Sequence, residues 1–390
     1  MEIKYPLVVD LWGEEEVEAI QRVIKRRRFT MGEEVKAFEE EFAKKVGSKY
    51  AVMVNSGSSA NLIAVLATRF VKDGLEYGDK VIVPAIGWST SYSPLYFADF
   101  SLKVIDVDLH TLNIDLQRVK NAIDKNTMAV LIINILGNPC ADLPEIKDFC
   151  KSEGVWFIED NCESLGAEIG GKQCGTFGDV GTFSFFFSHH ISTMEGGMLV
   201  TDNEEIAHIA MELRAHGWTR DLPKDSPIYQ KPENWRYENY NFDKPGFNVR
   251  PLEIEAAAGR EQLKKLNGFI EQRRRNADLF VKLFAGDERF IIQRENGKSS
   301  WFDFSVILSP KYNINREKVW DGLSASGIEF RPITGGNFVQ HRAAQHYNYE
   351  IFEGLPNATL AHDNGFFVGN FGHDISDKIE YLHKVLTKLV

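Results

Sequence analysis

Short apolar runs alternate with amphipathic stretches of helical period along most of this chain. Seven runs stand out, at residues 51–54, 80–83, 103–107, 129–133, 155–158, 181–185 and 197–200. Several are apolar throughout, as strands covered on both faces should be. Strands that alternate with helices over roughly the first two-thirds predict an α/β sheet with helices on both sides. Residues 213–246 break the pattern. They are rich in Pro, Asp, Asn and aromatic residues, and so long a polar connection is uncommon unless it has a function. A helical pattern follows from about residue 252 to 284, with an exposed charged stretch at 271–275. It leads to a smaller α+β lobe that ends in an amphipathic helix over 377–389. The expected division is a large domain at 14–260 and a small one at 261–390, with residues 1–13 returning to the small one.

Composition narrows the classes of function. The 390 residues suffice for two lobes of unequal size, and the formal net charge is -11. Nucleic-acid binding without sequence preference rests on Lys and Arg facing phosphates, so this balance speaks against it. The one basic run, at 25–28, reads as the solvated end of a helix that starts near Glu14. No run reaches the ~18 apolar residues of a membrane span. The acidic N-terminus does not read as a secretory signal, so the expected location is the cytoplasm. The four cysteines, Cys140, Cys150, Cys162 and Cys174, form no CxxC pair. They are expected as free thiols, and their spacing fits neither a zinc site nor an iron–sulfur cluster.

Four segments carry candidate chemistry. Residues 55–61 (NSGSSAN) follow a strand and open a helix. The free N–H groups there suit a phosphate, and the same residues also read as a plain helix cap by Ser56 or Ser58. Residues 156–160 (WFIED) end a strand in two carboxylates. Asp160 there can hold a cationic ring nitrogen at the crevice of an α/β sheet, or simply cap a turn. Trp88, just past another strand, can stack on a flat ligand or pack in the core. Residues 181–197 run from an aromatic strand into the pair His189–His190 and then Gly196–Gly197. Adjacent histidines on a regular strand point to opposite faces, which disfavours one metal shared with Glu195. A structural pair and a catalytic histidine both stay open on the segment alone.

Taken in order, NSGSSAN, the PAIGWS turn, EDNCES, the SF segment and PGFN resemble the sugar aminotransferase and dehydratase branch of the aspartate-aminotransferase superfamily, over nearly the whole chain. The resemblance implies a pyridoxal-phosphate fold of type I: a central, mostly parallel seven-stranded sheet in the large domain and a smaller C-terminal α+β lobe. In that family a lysine after the aromatic strand forms a Schiff base with the cofactor. Here the position is His189, as in sugar 3-dehydratases.

The resemblance therefore implies pyridoxal or pyridoxamine 5′-phosphate held without a covalent link, with no metal. Gly57, Ser58 and Ser184 would take its phosphate. Trp88 would stack on the ring, Asp160 would pair with the ring nitrogen, and Glu163 would meet the ring hydroxyl. Asn248, in PGFN, would reach the phosphate of a neighbouring subunit in a homodimer. His216, Arg220 and Arg331 would bind a substrate diphosphate. The implied partners are L-glutamate and a keto sugar, with a GDP-linked 4-keto-6-deoxymannose as first choice. His189 would act as the base in loss of the C3 hydroxyl, by a reaction free of an iron–sulfur cluster. The rival readings are a glutamate-dependent aminotransferase on the same scaffold, acting on a nucleotide-linked or octulosonate-type sugar, and a lysine-less ligand sensor without activity.

Overall fold

The computed structural model describes residues 2–390. In chain order the large sheet draws on β1 (Tyr50–Val54), β2 (Lys80–Pro84), β3 (Ser101–Ile105), β4 (Thr127–Ile133) and β5 (Trp156–Asp160). A short ribbon, β6 (Glu168–Ile169) with β7 (Lys172–Gln173), precedes β8 (Val180–Ser184) and β9 (Gly197–Thr201). The remaining strands are β10 (Phe290–Ile292), β11 (Asp303–Leu308), β12 (Tyr349–Ile351) and β13 (Gly365–Gly369). The large sheet has the order β1-β9-β8-β5-β4-β2-β3-β12. Only β9 runs against the others, pairing antiparallel with β1 and β8. The interior strands are buried almost end to end, because helices cover both faces and no face meets water.

The sheet has eight strands where seven were expected. The eighth, β12, is a three-residue edge strand parallel to β3, too short to leave a pattern in the sequence. Glu350 in it pairs with Lys80 and Lys103, charges that also keep this edge from pairing further. The run expected at 103–107 forms its strand two residues earlier. Asp106 has left the sheet to accept the N–H groups of Asn357 and Ala358, at the start of the helix Pro356–Asn364.

A second, separate apolar core lies behind the three-stranded antiparallel sheet β10-β11-β13. The helix Glu253–Phe284 joins the two cores as one continuous element. Its first half packs on the large sheet through Ala256 and Leu263, and its second half gives Phe280 and Phe284 to the second core. The helix Ser376–Leu389 adds Ile379, Leu382 and Leu386. Tyr5 is fully buried in the same core and its hydroxyl donates to the Gly369 carbonyl at 2.7 Å. The N-terminal segment is thereby fastened to this lobe. Among the described residues, no helix is long and apolar enough to cross a membrane.

Candidate active site

The carboxyl ends of parallel strands leave a crevice in α/β sheets, and here they open on a cavity of about 780 Å³ between the two cores. Ser56 ends the turn after β1. Its hydroxyl accepts the Ser59 N–H at 3.1 Å and caps the helix Gly57–Phe70. The capping reading therefore holds for Ser56, and the cap leaves the N–H groups of Gly57 and Ser58 without a partner among the described residues. A Cβ on Gly57 would stand 2.5 Å from Ser184 Cβ and 3.0 Å from Cys162 Sγ. Only glycine lets the helix start approach the end of β8 so closely.

Asp160, at the end of β5, is 4% exposed. Its Oδ2 accepts from Asn61 Nδ2 at 2.8 Å and Ser91 Oγ at 2.6 Å, and its Oδ1 from the Cys162 N–H at 3.1 Å. Thr182 donates in turn to Asn61, so β8 and the helix start fix the carboxylate from two sides. Immediately after Cys162, the wall turns. Glu163 accepts the N–H of Leu136 at 2.8 Å, and Leu136 sits in the left-handed region at φ 50°. Burial, aided by the nearby Asp160 charge and opposed by that hydrogen bond, raises Glu163 to about 8. At neutral pH it is a carboxylic acid able to donate a proton.

The two histidines divide their roles. His190 is buried, and one ring nitrogen meets the Ser300 carbonyl at 3.1 Å. His189 faces the cavity. Ser188 Oγ lies 3.4 Å from its Nδ1, and the ring of Phe302 stands edge-on to it. Burial first, and then the Arg273 guanidinium, lower its pKa to about 3, so the ring is neutral and has one nitrogen able to take a proton. Among the described residues, no lysine lines the cavity.

Gly57, Ser58, Trp88, Asp160, Glu163, Ser184, His189 and Arg331 all come together at this cavity. Trp88 is 57% exposed, which answers the choice between core packing and an open indole face. Asn248, His216 and Arg220 do not line the cavity. They lie on and beside the loop 214–249, where Asn248 pairs with Ala215 and Arg220 stacks on Trp218 at 3.6 Å. Cavity residues that escaped the sequence reading include Thr90, whose hydroxyl meets Ser58 Oγ at 2.7 Å, and the pair His341 and His362. Thr90 follows the singled-out Trp88 by two residues, and that spacing was the available signal. The cysteines are free; Cys140, Cys150 and Cys174 are buried, and Cys162 faces the cavity.

Comparison with known proteins finds relatives over nearly the whole chain. A GDP-4-keto-6-deoxy-D-mannose 3-dehydratase of Yersinia pseudotuberculosis is 47% identical over 389 residues, with 99% of each chain covered. The crystal structure of GDP-4-keto-6-deoxymannose-3-dehydratase with a trapped PLP-glutamate geminal diamine matches at a TM-score of 0.96 and 46% identity, covering 98% of this chain and 100% of that one. A histidine-to-asparagine variant of that dehydratase with bound GDP-perosamine matches with the same TM-score, identity and coverage. A family model matches residues 11–379, and the chain belongs to the DegT/DnrJ/EryC1/StrS aminotransferase family.

Proposed function

We propose that this protein is a pyridoxal-phosphate-dependent 3-dehydratase of GDP-4-keto-6-deoxymannose, with L-glutamate as the amine donor and His189 as the base. The observation that carries the reading is a cavity equipped to hold the cofactor in which a neutral histidine and, among the described residues, no lysine occupies the reacting wall. The fit rests on the donor set. The free N–H groups of Gly57 and Ser58 and the hydroxyl of Ser184 converge where a Cβ on Gly57 would not fit, a cradle suited to phosphate. Asp160 is a buried acceptor fixed by three donors, suited to a protonated ring nitrogen. The open face of Trp88 suits stacking, and the acid of Glu163 suits a ring oxygen.

When bound, the cofactor in its amine form supplies an electron sink that eases loss of a proton and of a neighbouring hydroxyl. The chain does the rest. Asp160 keeps the ring nitrogen charged. His189 takes the proton and, as a base whose pKa burial holds down, gives it up again without the covalent capture a lysine would bring. Without a lysine the cofactor is held by these contacts alone. We assign residues 14–260 to the cofactor-binding domain and 261–390, with the N-terminal residues, to the small one, on the separation of the two apolar cores.

A homodimer fits what one chain leaves unplaced. Asn248, His216 and Arg220 sit beside exposed Phe242 and Phe247 on a loop away from their own cavity, and a second copy would receive them, with the two basic residues meeting the diphosphate. A cytoplasmic setting fits four free thiols. The test is to incubate the protein with pyridoxal phosphate, L-glutamate and GDP-4-keto-6-deoxymannose and to weigh the sugar. The expected product is one oxygen atom lighter, with one ammonia and one 2-oxoglutarate released per turnover. A sugar that keeps nitrogen would make the protein an aminotransferase.

A further inference from the structure

The cavity wall built by the second half of the chain carries two histidines that the chemistry at His189 does not use, His341 and His362. Their rings lie 5.7 Å apart with planes at 80°. Hydrogen bonds decide which nitrogen each spends on the protein. His341 Nε2 meets the Gly335 carbonyl, which can only accept. That nitrogen therefore carries the proton, and in the neutral ring Nδ1 is left as an acceptor. The Asn337 N–H donates to His362 Nδ1 at 3.2 Å, so the proton of that ring sits on Nε2. Neither remaining nitrogen has a partner among the described residues. The pair thus offers the cavity one acceptor and one donor.

The pair is seated by construction. Gly336 has φ +70°, and a Cβ there would stand 2.1 Å from His362 Nδ1. A Cβ on Gly335 would stand 2.9 Å from the carbonyl of Gly87, the residue before Trp88. The segment 331–338 (RPITGGNF) therefore ties Arg331, the Trp88 turn and both histidines into one wall. Thr334 lines the same wall at 4% exposure, and its buried Oγ1 has no partner. Burial holds His362 below the ordinary histidine range, with His341 and Arg316 acting the same way against Asp363.

We infer that His341 and His362 recognise a vicinal diol of the sugar nucleotide, His362 Nε2–H donating to one hydroxyl and His341 Nδ1 accepting from its neighbour. The inference rests on the reading of the cavity as a nucleotide-sugar site. A diol fits better than a phosphate because each hydroxyl both donates and accepts, whereas a phosphate calls for donors alone. Arg331 already supplies donors on this wall. The hexose and the ribose each carry such a diol.

The test uses the holoenzyme and the variants His341→Ala, His362→Ala and His362→Gln. Three quantities are read: KM for GDP-4-keto-6-deoxymannose, inhibition by GDP alone, and the rate at which L-glutamate changes the absorbance of the cofactor. Each alanine variant should raise KM for the sugar about three- to tenfold, the worth of one neutral hydrogen bond. The change in the glutamate step, which involves no diol, should be much smaller. His362→Gln keeps a donor and should recover part of the loss. Unchanged inhibition by GDP assigns the diol to the hexose, and inhibition weakened to the same extent assigns it to the ribose. Unaltered KM in both alanine variants, or an equal loss in the glutamate step, overturns the inference. A wild-type protein that consumes no sugar in the presence of glutamate overturns the functional reading instead, and is recognised before any variant is made.

Discussion

The imidazole of His189 stands edge-on to the ring of Phe302, with centroids 4.9 Å apart and planes at 74°. The carbonyl of Phe302 is held in turn by the guanidinium of Arg273, a fully buried charge that also grips the Asn370 carbonyl. The base thus rests on a ring whose backbone is anchored by a cation. Arg273 contributes, after burial, to the lowered pKa of His189. Removing the charge should let that pKa rise toward its ordinary value. Arg273→Met should therefore shift the acid limb of kcat/KM to higher pH. It should also lower stability by about 2 kcal/mol or more, since two buried carbonyls lose their donor. A pH–rate profile and a denaturant titration check the two effects separately, and an unmoved acid limb would detach Arg273 from the base.

His189→Lys should create a Schiff base with added pyridoxal phosphate. The measurement is an absorbance shift that borohydride traps and that wild type lacks. The absence of a shift would mean that position 189 does not face the reacting atom of the cofactor.

Glu163 gives a prediction in the opposite pH direction. Its pKa in the folded chain is raised from 4.5 to about 8. The stability it contributes is fully present below 4.5 and is lost as pH rises through about 8. The apoprotein should accordingly lose thermal stability across that window, and Glu163→Gln should lose less. If the acid donates to the cofactor ring, kcat/KM of wild type should fall above about 8 and the glutamine variant should lack that limb. Identical alkaline limbs would deny Glu163 the role.

Gly57→Ala should weaken cofactor binding while leaving the fold in place. The new methyl would press on Ser184 and Cys162, at a cost of about 1–3 kcal/mol for overpacking, and would narrow the phosphate cradle. Equilibrium dialysis of pyridoxal phosphate should show affinity lowered tenfold or more. Unchanged affinity would move the phosphate elsewhere.

The shared-site reading can be tested by complementation. His189→Asn and Arg220→Ala should each be inactive or nearly so. Mixed subunits would form dimers with one intact site, returning roughly a quarter of wild-type activity at random pairing in a twofold dimer. No recovery on mixing would place Arg220 in the service of its own chain.

The legible parts of this protein were those that follow local rules. The buried strands announce themselves because both faces are dry; Asp160 ends a strand and Gly57 opens the helix one short turn after another, where sequence and geometry coincide. The strand β12 was not legible, since three residues at an edge held by Glu350 show no periodicity. His341 and His362 were hidden for a different reason. Nothing in their spacing joins them; the wall depends on Gly335 and Gly336 turning the chain back against Gly87. Arg331 was placed at the cavity, while His216 and Arg220 lie on a loop that one chain turns away from it. The adjacent histidines could be separated only by their surroundings, since Ser300 claims His190 and leaves His189 to the cavity.

The central claim is that His189 moves the proton that leads to loss of the C3 hydroxyl. The most direct measurement loads wild type and His189→Asn with the cofactor in its amine form, mixes each with GDP-4-keto-6-deoxymannose, and follows a single turnover by the mass of the sugar. Wild type should yield the sugar one oxygen atom lighter, and His189→Asn should bind cofactor and sugar yet return the sugar unchanged. Dehydration by the asparagine variant at a rate near that of wild type would contradict the account.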